Sequence, residues 1–373
     1  MKRIIIIVMV AAVVAACSHR ARQSAQGEPV GFRYAKLLAI ARQGECYDVT
    51  IRDPWGADSL AALRRYFLVP RSLDNPPSAP AGATIVKIPL EHTLVYSAVH
   101  TGAIAELTGS VSAVAGVCDK QYFTDTAMMA GIASGAIADC GNSMSPTIEK
   151  VVELSPDAIL LSPYQNANYG EITRLGIPII ECADYMENTP LGRAEWLRLY
   201  GLLYGRAARA DSIFAAVEAR YTQLSAMARG VKSRPKVITE NVINGIWYVP
   251  GGDSYMAHLL DDAGALYPWA DNHSSGSLQL DFAQVYDVAH DARFWLIKTF
   301  DLVTLSALKA SFPLNDRMDA FSNGGVYACN TATSPLFNEF PYHPELLLHD
   351  FIKIFHPELQ LEGELRYYHP VSR

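Results

Sequence analysis

Short apolar segments alternate with helical segments twice along this chain, once on each side of a central stretch at residues 189–230. The first series contains the apolar runs TIVKIPL, VSAVAGVC, DAILL and IPII, with a helix expected over 92–109. The second series contains KVITEN and ARFWLIK, again separated by a helical pattern. Strands that alternate with helices form βαβ units, so each series predicts a mainly parallel sheet.

The central stretch has the spacing of one face of a helix, because apolar or small residues recur at alternating steps of four and three. Thr189-Pro190 is a helix start signal and Gly230 a stop signal. Gly205 is expected to break the stretch, since glycine is costly inside a helix and suits a C-terminal cap. The pattern alone is compatible with a core helix or with a strut between two lobes.

The two series also resemble each other in sequence. Residues 149–161 align with 283–297 through four pairs: Val151 with Val285, Glu153 with Asp287, Asp157 with Asp291 and Ala158 with Ala292. The same strand–helix–glycine order precedes both segments. The repetition favours two related α/β lobes on either side of a helical strut over a single domain.

Size and charge limit the function classes. A chain of 373 residues is long enough for two domains. The net charge of −7 and the pI near 5.8 argue against a nucleic-acid-binding protein. The sequence has neither a G-x-S-x-G elbow nor a G-x-x-x-x-G-K-[ST] loop. An enzyme is therefore the less favoured class, although a cysteine–histidine site stays open as an alternative.

The N-terminus has the pattern of an export signal. Two basic residues, Lys2 and Arg3, precede the apolar run IIIIVMVAAVVAA, and Cys17 follows directly. Small residues before a cysteine resemble a bacterial lipobox. We predict a signal peptide at 1–16, lipidation of Cys17 and a tether over 17–31. The expected location is periplasmic, with the lipid anchor in a bacterial membrane.

Five cysteines remain after Cys17, and their odd number excludes complete pairing. They are Cys46, Cys118, Cys140, Cys182 and Cys329. One disulfide and buried free thiols are both open.

Several segments resemble the periplasmic solute-binding proteins of ABC importers for iron-siderophores, haem and cobalamin. They are SPTIEKVVELSPDAILLSP, TRLGIPII, the central helical stretch, WYVPGGDSYMAHLLDDAGALYPW, LDFAQVYDVAHDARFWLI and HPELLLHDFIKIFHPEL, in an order that covers about residues 83–360. The resemblance implies two α/β lobes with mainly parallel sheets flanked by helices, one long bridging helix, and a ligand cleft between the lobes.

The resemblance also implies the domain boundaries and the partners. The N-terminal lobe is expected at 32–188 with extra strands at its start, the connecting helices at 189–230 with the bridging helix at 206–228, and the C-terminal lobe at 231–373. The expected function is capture of a metal-chelate ligand, without catalysis, and delivery to an ABC permease and ATPase. No cofactor is expected, although the ligand can itself contain iron or cobalt, and the protein is expected to be monomeric.

Ligands of open α/β sheets bind outside the carboxyl ends of the strands, which selects candidate ligand-binding residues in the loops. In the N-terminal lobe these are His92, Tyr96, Tyr122, Asn142, Met144, Tyr164, Gln165 and Asn168; in the C-terminal lobe they are Asn244, Trp247, Tyr248, Trp269, Thr299 and Phe300. Their aromatic content suits a large flat or hydrophobic ligand. Each aromatic residue is alternatively an ordinary core or rim residue.

Ten histidines raise the question of a metal, but none forms a dense metal-binding pattern. The alternative function is a direct Zn or Mn receptor of the same fold, which needs three or four converging ligands. A single histidine, His92 or His273, could instead contact the metal of a bound chelate.

Permease docking is the last expectation from the resemblance, which implies one acidic residue on each lobe. Glu149 stands at the matching position of the N-terminal lobe, but Ala283 stands at the aligned position of the C-terminal lobe. Asp281 or Asp287 could substitute for it. The alternative for Glu149 is an acidic residue that interacts favourably with the helix dipole.

Overall fold

The computed structural model describes residues 27–56, 60–301 and 303–372. The predicted signal peptide, most of the tether and the lipidation site Cys17 lie outside these residues. Within the described ranges no helix is both long and apolar enough to cross a membrane.

The chain begins with a five-stranded sheet that stands apart from the βαβ series. Its strands, in spatial order, are β1 (Glu28–Val30), β2 (Leu38–Gln43), β3 (Cys46–Arg52), β4 (Ala62–Pro70) and β5 (Thr84–Ile88). Neighbours are antiparallel except β4 and β5, which are parallel. The extra strands expected at the start of the N-terminal lobe are present as β2, β3 and β4. TIVKIPL, expected to open the first βαβ series, instead forms the edge strand β5 of this extra sheet.

Two buried carboxylates attach this sheet to the rest of the molecule. The Glu195 carboxylate accepts hydrogen bonds from the consecutive amides of residues 33–35 at 2.8–3.1 Å. The Glu187 carboxylate accepts from the next two amides and from the indole of Trp196, all at 2.9 Å. Hydrogen bonds to a charged acceptor are stronger than neutral ones, so the segment that connects β1 to β2 is held firmly.

The first parallel sheet has the strand order β12–β11–β6–β7–β8. Its strands are β6 (Thr93–Val95), β7 (Val114–Val117), β8 (Ala138–Asp139), β11 (Ala158–Leu161) and β12 (Ile179–Glu181), and the flanking helices are α1 (Ala98–Thr108), α2 (Thr126–Ser134) and α3 (Ile148–Leu154). A small hairpin, β9 (Gly141–Asn142) and β10 (Ser145–Pro146), follows β8. We call this sheet, its helices and the N-terminal sheet the first lobe.

The central stretch contains three helices, α4 (Pro190–Ala194), α5 (Leu197–Leu203) and α6 (Ala207–Arg229). The Thr189 hydroxyl caps α4 by accepting from the Gly192 amide at 3.0 Å. Gly205 has φ +64° between α5 and α6, a left-handed conformation that suits glycine. The predicted start, break and stop at Gly230 are therefore confirmed, and α6 is the bridging helix, about 35 Å long.

The buried face of α6 is shared unequally between the lobes. Ala210 in its first turn belongs to the core of the first lobe. Phe214, Val217, Tyr221 and Leu224 belong to the core that α6 shares with the second parallel sheet. The helix α6 is thus both a bridge between the lobes and a core helix beside the second parallel sheet. The two interpretations of its apolar pattern, a core helix and a strut, are therefore both partly correct.

The second parallel sheet contains β13 (Val237–Thr239), β17 (Phe294–Thr299) and β18 (Val326–Asn330), followed at its edge by the antiparallel β19 (His369–Pro370). An antiparallel sheet of β14 (Val242–Ile243), β15 (Ile246–Pro250) and β16 (Ser277–Leu280) lies beside it, and the sequence pattern did not predict it. The helices are α7 (Tyr255–Asp262), α8 (Phe282–Ala289), α9 (Leu305–Ser311), α10 (Asp319–Asn323), α11 (Leu336–Glu339) and α12 (Pro344–Phe355). These elements form the second lobe.

The two lobes meet directly where α1 packs against α11. A Cβ atom at Gly102 would lie 2.1 Å from the Asn338 carbonyl oxygen, so the contact requires glycine. Beside it, the His343 imidazole lies 3.8 Å from the Glu106 carboxylate of the first lobe and 3.0 Å from Glu345. We call these three residues the junction triad.

Candidate functional site

The carboxyl ends of β6 and β11 open into a cavity of about 220 Å³, which we call the first cavity. It is lined by Tyr96, Ser97, Ser143, Met144, Leu161, Ser162, Tyr164, Asn168, Tyr169 and Ile172. Tyr96 and Ser97 directly follow β6, and Ser162 directly follows β11. Because β6 and β11 are parallel neighbours, these three residues lie at the same end of the sheet. The lining therefore consists of aromatic rings, hydroxyl groups, aliphatic side chains, the Asn168 amide and the Met144 thioether.

Two tyrosine hydroxyls are buried beneath this lining. The hydroxyl of Tyr96 lies beside the Cys118 thiol, and that of Tyr169 lies beside the Glu181 carboxylate. Burial, reinforced by Cys118 for Tyr96 and by Glu181 for Tyr169, raises the pKa of both phenols. Both therefore stay protonated at neutral pH, and the tyrosines contribute uncharged rings to the wall of the cavity.

A second cavity of about 440 Å³ lies at the carboxyl ends of β13 and β17. It is lined by Tyr185, Met186, Glu240, Asn241, Ile243, Tyr248, Pro250, Ser254, Tyr255, Met256, Ser275, Gly276, Ser277 and Lys298. The Tyr185 hydroxyl donates to the Pro163 carbonyl oxygen at 2.5 Å. Because Pro163 adjoins Tyr164 of the first cavity, Tyr185 links the walls of the two cavities.

An ion pair occupies the floor of the second cavity. Lys298, near the end of β17, donates to the carboxylate of Glu240, which follows β13. Burial alone would lower the pKa of Lys298, but the Glu240 carboxylate outweighs burial and raises it. Lys298 is therefore a cation at neutral pH, with its charge neutralised by Glu240.

The structure brings five of the candidate residues into these cavities. Tyr96, Met144, Tyr164 and Asn168 line the first, and Tyr248 lines the second. Six others lie at the ends of strands or in the segments that follow them, without lining either cavity: Tyr122, Asn142, Gln165, Asn244, Thr299 and Phe300. Asn142 donates to the Asp119 carboxylate at 3.0 Å, so part of its side chain serves to shape its loop.

His92 lies at the opposite edge of the first sheet. It precedes β6, and its carbonyl oxygen accepts from the amide of Asp157, which precedes β11. The expected helix over 92–109 placed it after a strand, whereas the strand is Thr93–Val95 and the helix begins at Ala98. Its expected position at the carboxyl edge is therefore corrected.

Two tryptophans pack inside the second lobe. The Trp247 side chain is fully buried, donates to the Thr239 carbonyl oxygen at 2.9 Å and lies against Trp295. Trp269 packs edge-on against Tyr267, with the ring centroids 5.5 Å apart. Alternation along β15 explains the first case, because Trp247 and the exposed Tyr248 point to opposite faces.

The sequence analysis missed the charged residues of the second cavity. Glu240 and Lys298 each stand near the end of an apolar strand, in VITE and FWLIK. Single charges at the carboxyl ends of two parallel strands are a signal that could have identified them. Tyr185 has no comparable signal, since it reaches the cavity only through the chain turn before α4.

Glu149, the docking candidate of the first lobe, and Ala283, its aligned partner in the second lobe, occupy equivalent helical positions. Glu149 is the exposed second residue of α3, and Ala283 is the exposed second residue of α8. Asp281 is engaged as the N-cap of α8, where its side chain accepts from the Gln284 amide at 2.8 Å. Asp287 lies exposed further along α8.

The five cysteines of the described residues are all buried and free. Burial, assisted by Cys140, raises the pKa of the Cys118 thiol to about 12.

No group of three His, Cys, Asp or Glu side chains within the described ranges is arranged to hold a metal ion.

A family model for periplasmic binding proteins matches residues 96–333, well over half of the chain. The chain belongs to the periplasmic binding protein family. The members of this family are substrate-binding proteins rather than enzymes, and the matched residues include both cavities and the bridging helix α6.

Two proteins of similar sequence are named as lipoproteins. An uncharacterized lipoprotein of Methanocaldococcus jannaschii is 28% identical over 65% of this chain and 60% of its own length. A second lipoprotein of that organism is matched over 51% of its length, so the chain spans only about half to three fifths of these curated relatives.

Solved structures show the same two-lobe fold. A periplasmic haem-binding protein of Pseudomonas aeruginosa superimposes with a TM-score of 0.58 at 15% identity, covering 76% of this chain and 99% of that one. A siderophore-binding protein of Vibrio cholerae, solved with Fe³⁺-Desferal, gives 0.53 at 15% identity over 71% and 99%. At these identities the likeness concerns the fold.

Proposed function

We propose that this periplasmic binding protein captures an iron-siderophore, haem or cobalamin-type ligand between its lobes and delivers it to an ABC permease and ATPase. The observation that carries the proposal is the pair of neighbouring cavities at the carboxyl ends of the two parallel sheets. Their rings and hydroxyls suit a large ligand with an apolar body and a few polar groups. The haem-binding and Fe³⁺-Desferal-bound proteins that share the fold support this ligand class.

The proposed location is outside the cytoplasm, with the protein anchored through lipid at Cys17. The lipobox pattern and the lipoprotein name of the Methanocaldococcus relative support this location. Because that relative is archaeal, we place the protein on the outer face of a membrane in general rather than in a periplasm.

Titration of the full-length protein in detergent tests the ligand class. Haemin, cyanocobalamin and ferric desferrioxamine B should be added separately in calorimetry, and at least one should bind with a Kd of about 1 μM or tighter. Tight binding of free Zn²⁺ or Mn²⁺ without any chelate would favour the direct metal receptor instead. Binding of none of these ligands would contradict the proposal.

The variant Glu149→Ala is the matched control for this titration. Glu149 is exposed and is not among the residues that line either cavity. As a proposed docking residue it should leave ligand affinity unchanged and weaken only binding to the permease complex. A loss of ligand affinity in this variant would argue against the docking role.

A further inference from the structure

The charges that line the two cavities reduce to one ion pair. Among the described residues around the first cavity, none has a charged side chain. Around the second cavity, the charged side chains of the described residues are Glu240 and Lys298. Their side chains are only 23% and 28% exposed, so solvent screens the pair weakly. The net charge of this lining is therefore zero.

The backbone fixes Glu240 in the position that neutralises Lys298. Glu240 has φ +64°, a conformation that residues other than glycine adopt infrequently. Its carbonyl oxygen accepts from the Trp295 indole at 2.6 Å, and its amide donates to the Leu296 carbonyl oxygen at 2.8 Å. Trp295 and Leu296 of β17 thus hold the strained Glu240 beside Lys298, which lies on β17 as well. Backbone strain of this kind clusters at ligand sites, where the surroundings over-determine it.

We infer that Glu240 is the charge selector of the cleft: by neutralising Lys298 it removes the attraction for anionic metal chelates, so that the cleft favours neutral ones. An unpaired lysine in this cavity would attract a carboxylate or catecholate. The paired lysine offers no net attraction, because Glu240 repels the same anion in a weakly screened site, and the anion still loses its hydration on entry. The inference rests on the proposed function and specifies its ligand class.

The first cavity supplies the complementary part of this selection. The side chains of Ser97, Ser143, Ser162 and Asn168 line this cavity and provide uncharged polar groups. Such neutral donors match carbonyl, hydroxamate and ether oxygens, which accept hydrogen bonds without a full negative charge. Both walls thus favour a ligand whose polar groups are uncharged.

A charge series of one chelate tests the inference on the full-length protein. Ferric desferrioxamine B carries one positive charge, its N-acetyl derivative none and its N-succinyl derivative one negative charge, with the same iron centre in all three. Cyanocobalamin and haemin extend the series to a neutral and an anionic macrocycle. We expect the neutral chelates to bind at least about tenfold more tightly than their anionic counterparts.

Two variants show whether Glu240 is responsible. Glu240→Gln exposes the Lys298 charge and should raise affinity for the anionic chelates at least about tenfold relative to the neutral ones. The double variant Glu240→Gln/Lys298→Gln has the original net charge and should restore the wild-type preference. It also remains informative if the single variant folds poorly, because the double variant leaves no unpaired charge.

The outcomes separate the inference from the function on which it rests. If the wild-type protein prefers an anionic chelate, the charge-selector inference is overturned and the receptor function stands. If no member of the panel binds, the receptor function fails and the inference fails with it. If the double variant prefers anionic chelates as strongly as Glu240→Gln does, Glu240 is not the selector.

Discussion

The first and second cavities lie at the same edge of two parallel sheets, yet they are built from different chemistry. The first has an uncharged lining in which tyrosines and serines provide the polar groups. The second is larger and has an ion pair on its floor. The difference shows that the repeated fold determines where the walls stand, while individual side chains at the strand ends determine what each wall can recognise.

The comparison predicts that breaking the ion pair of the second cavity lowers stability as well as changing ligand preference, whereas substitutions in the first cavity affect binding alone. In the first cavity Tyr164 is 40% exposed, so its contacts are available to a ligand and contribute little to the core. In the second cavity Glu240 and Lys298 neutralise each other in positions that are largely removed from water. Of the three predictions below, ordered by expected size, the largest and the smallest test this contrast, and the middle one tests the contact between the lobes.

Lys298→Met should cause the largest effect, a loss of about 3 kcal/mol in the free energy of unfolding. The Glu240 carboxylate would be left mostly buried without its partner. The control Lys309→Met removes one member of a pair in which Asp316 keeps Arg317 as a second cationic neighbour, and it should cost clearly less. Denaturant unfolding of both variants measures the difference, and equal losses would refute the contrast.

The junction triad should make the joined state of the lobes pH-dependent. Burial alone would lower the pKa of His343, but Glu106 and Glu345 outweigh it and raise the pKa to about 9, from 6.5 for an ordinary histidine. A raised pKa means that the folded state holds the proton more tightly. The stabilisation is therefore complete below about pH 6.5 and is lost as the pH rises through about 9.

Unfolding measured at pH 7 and pH 10 tests this second prediction. The wild-type protein should lose about 2 kcal/mol more stability over that interval than His343→Gln does. His290→Gln, at an exposed histidine after α8, serves as the control and should behave like the wild type. An identical pH response of His343→Gln and the wild type would show that the triad does not join the lobes electrostatically.

Tyr164→Ala should have the smallest energetic effect, confined to binding. We expect about fivefold weaker affinity for the chelate that binds the wild type, since an aromatic contact contributes about 1 kcal/mol. Stability should change by less than about 0.5 kcal/mol, as is usual for exposed positions. Tyr286→Ala, at a similarly exposed tyrosine on α8, should change neither quantity. A destabilised Tyr164→Ala would mean that the first wall is structural.

Local signals in the sequence determined much of the fold. The helical spacing, Thr189-Pro190, Gly205 and Gly230 predicted where the connecting helices begin, break and end, because capping and glycine conformation act within a few residues. The alternation of strands and helices predicted two parallel sheets for the same reason. The family resemblance was likewise carried by an order of segments that can be read along the chain.

The tertiary structure decided which strand joins which sheet and which side chains meet. TIVKIPL pairs with β4 rather than with the first parallel sheet, and this choice moved His92 to the opposite edge. Glu240 and Lys298 are 58 residues apart and meet because β13 and β17 are parallel neighbours. Strand order depends on how whole layers pack, and the local pattern of a single strand does not contain that information.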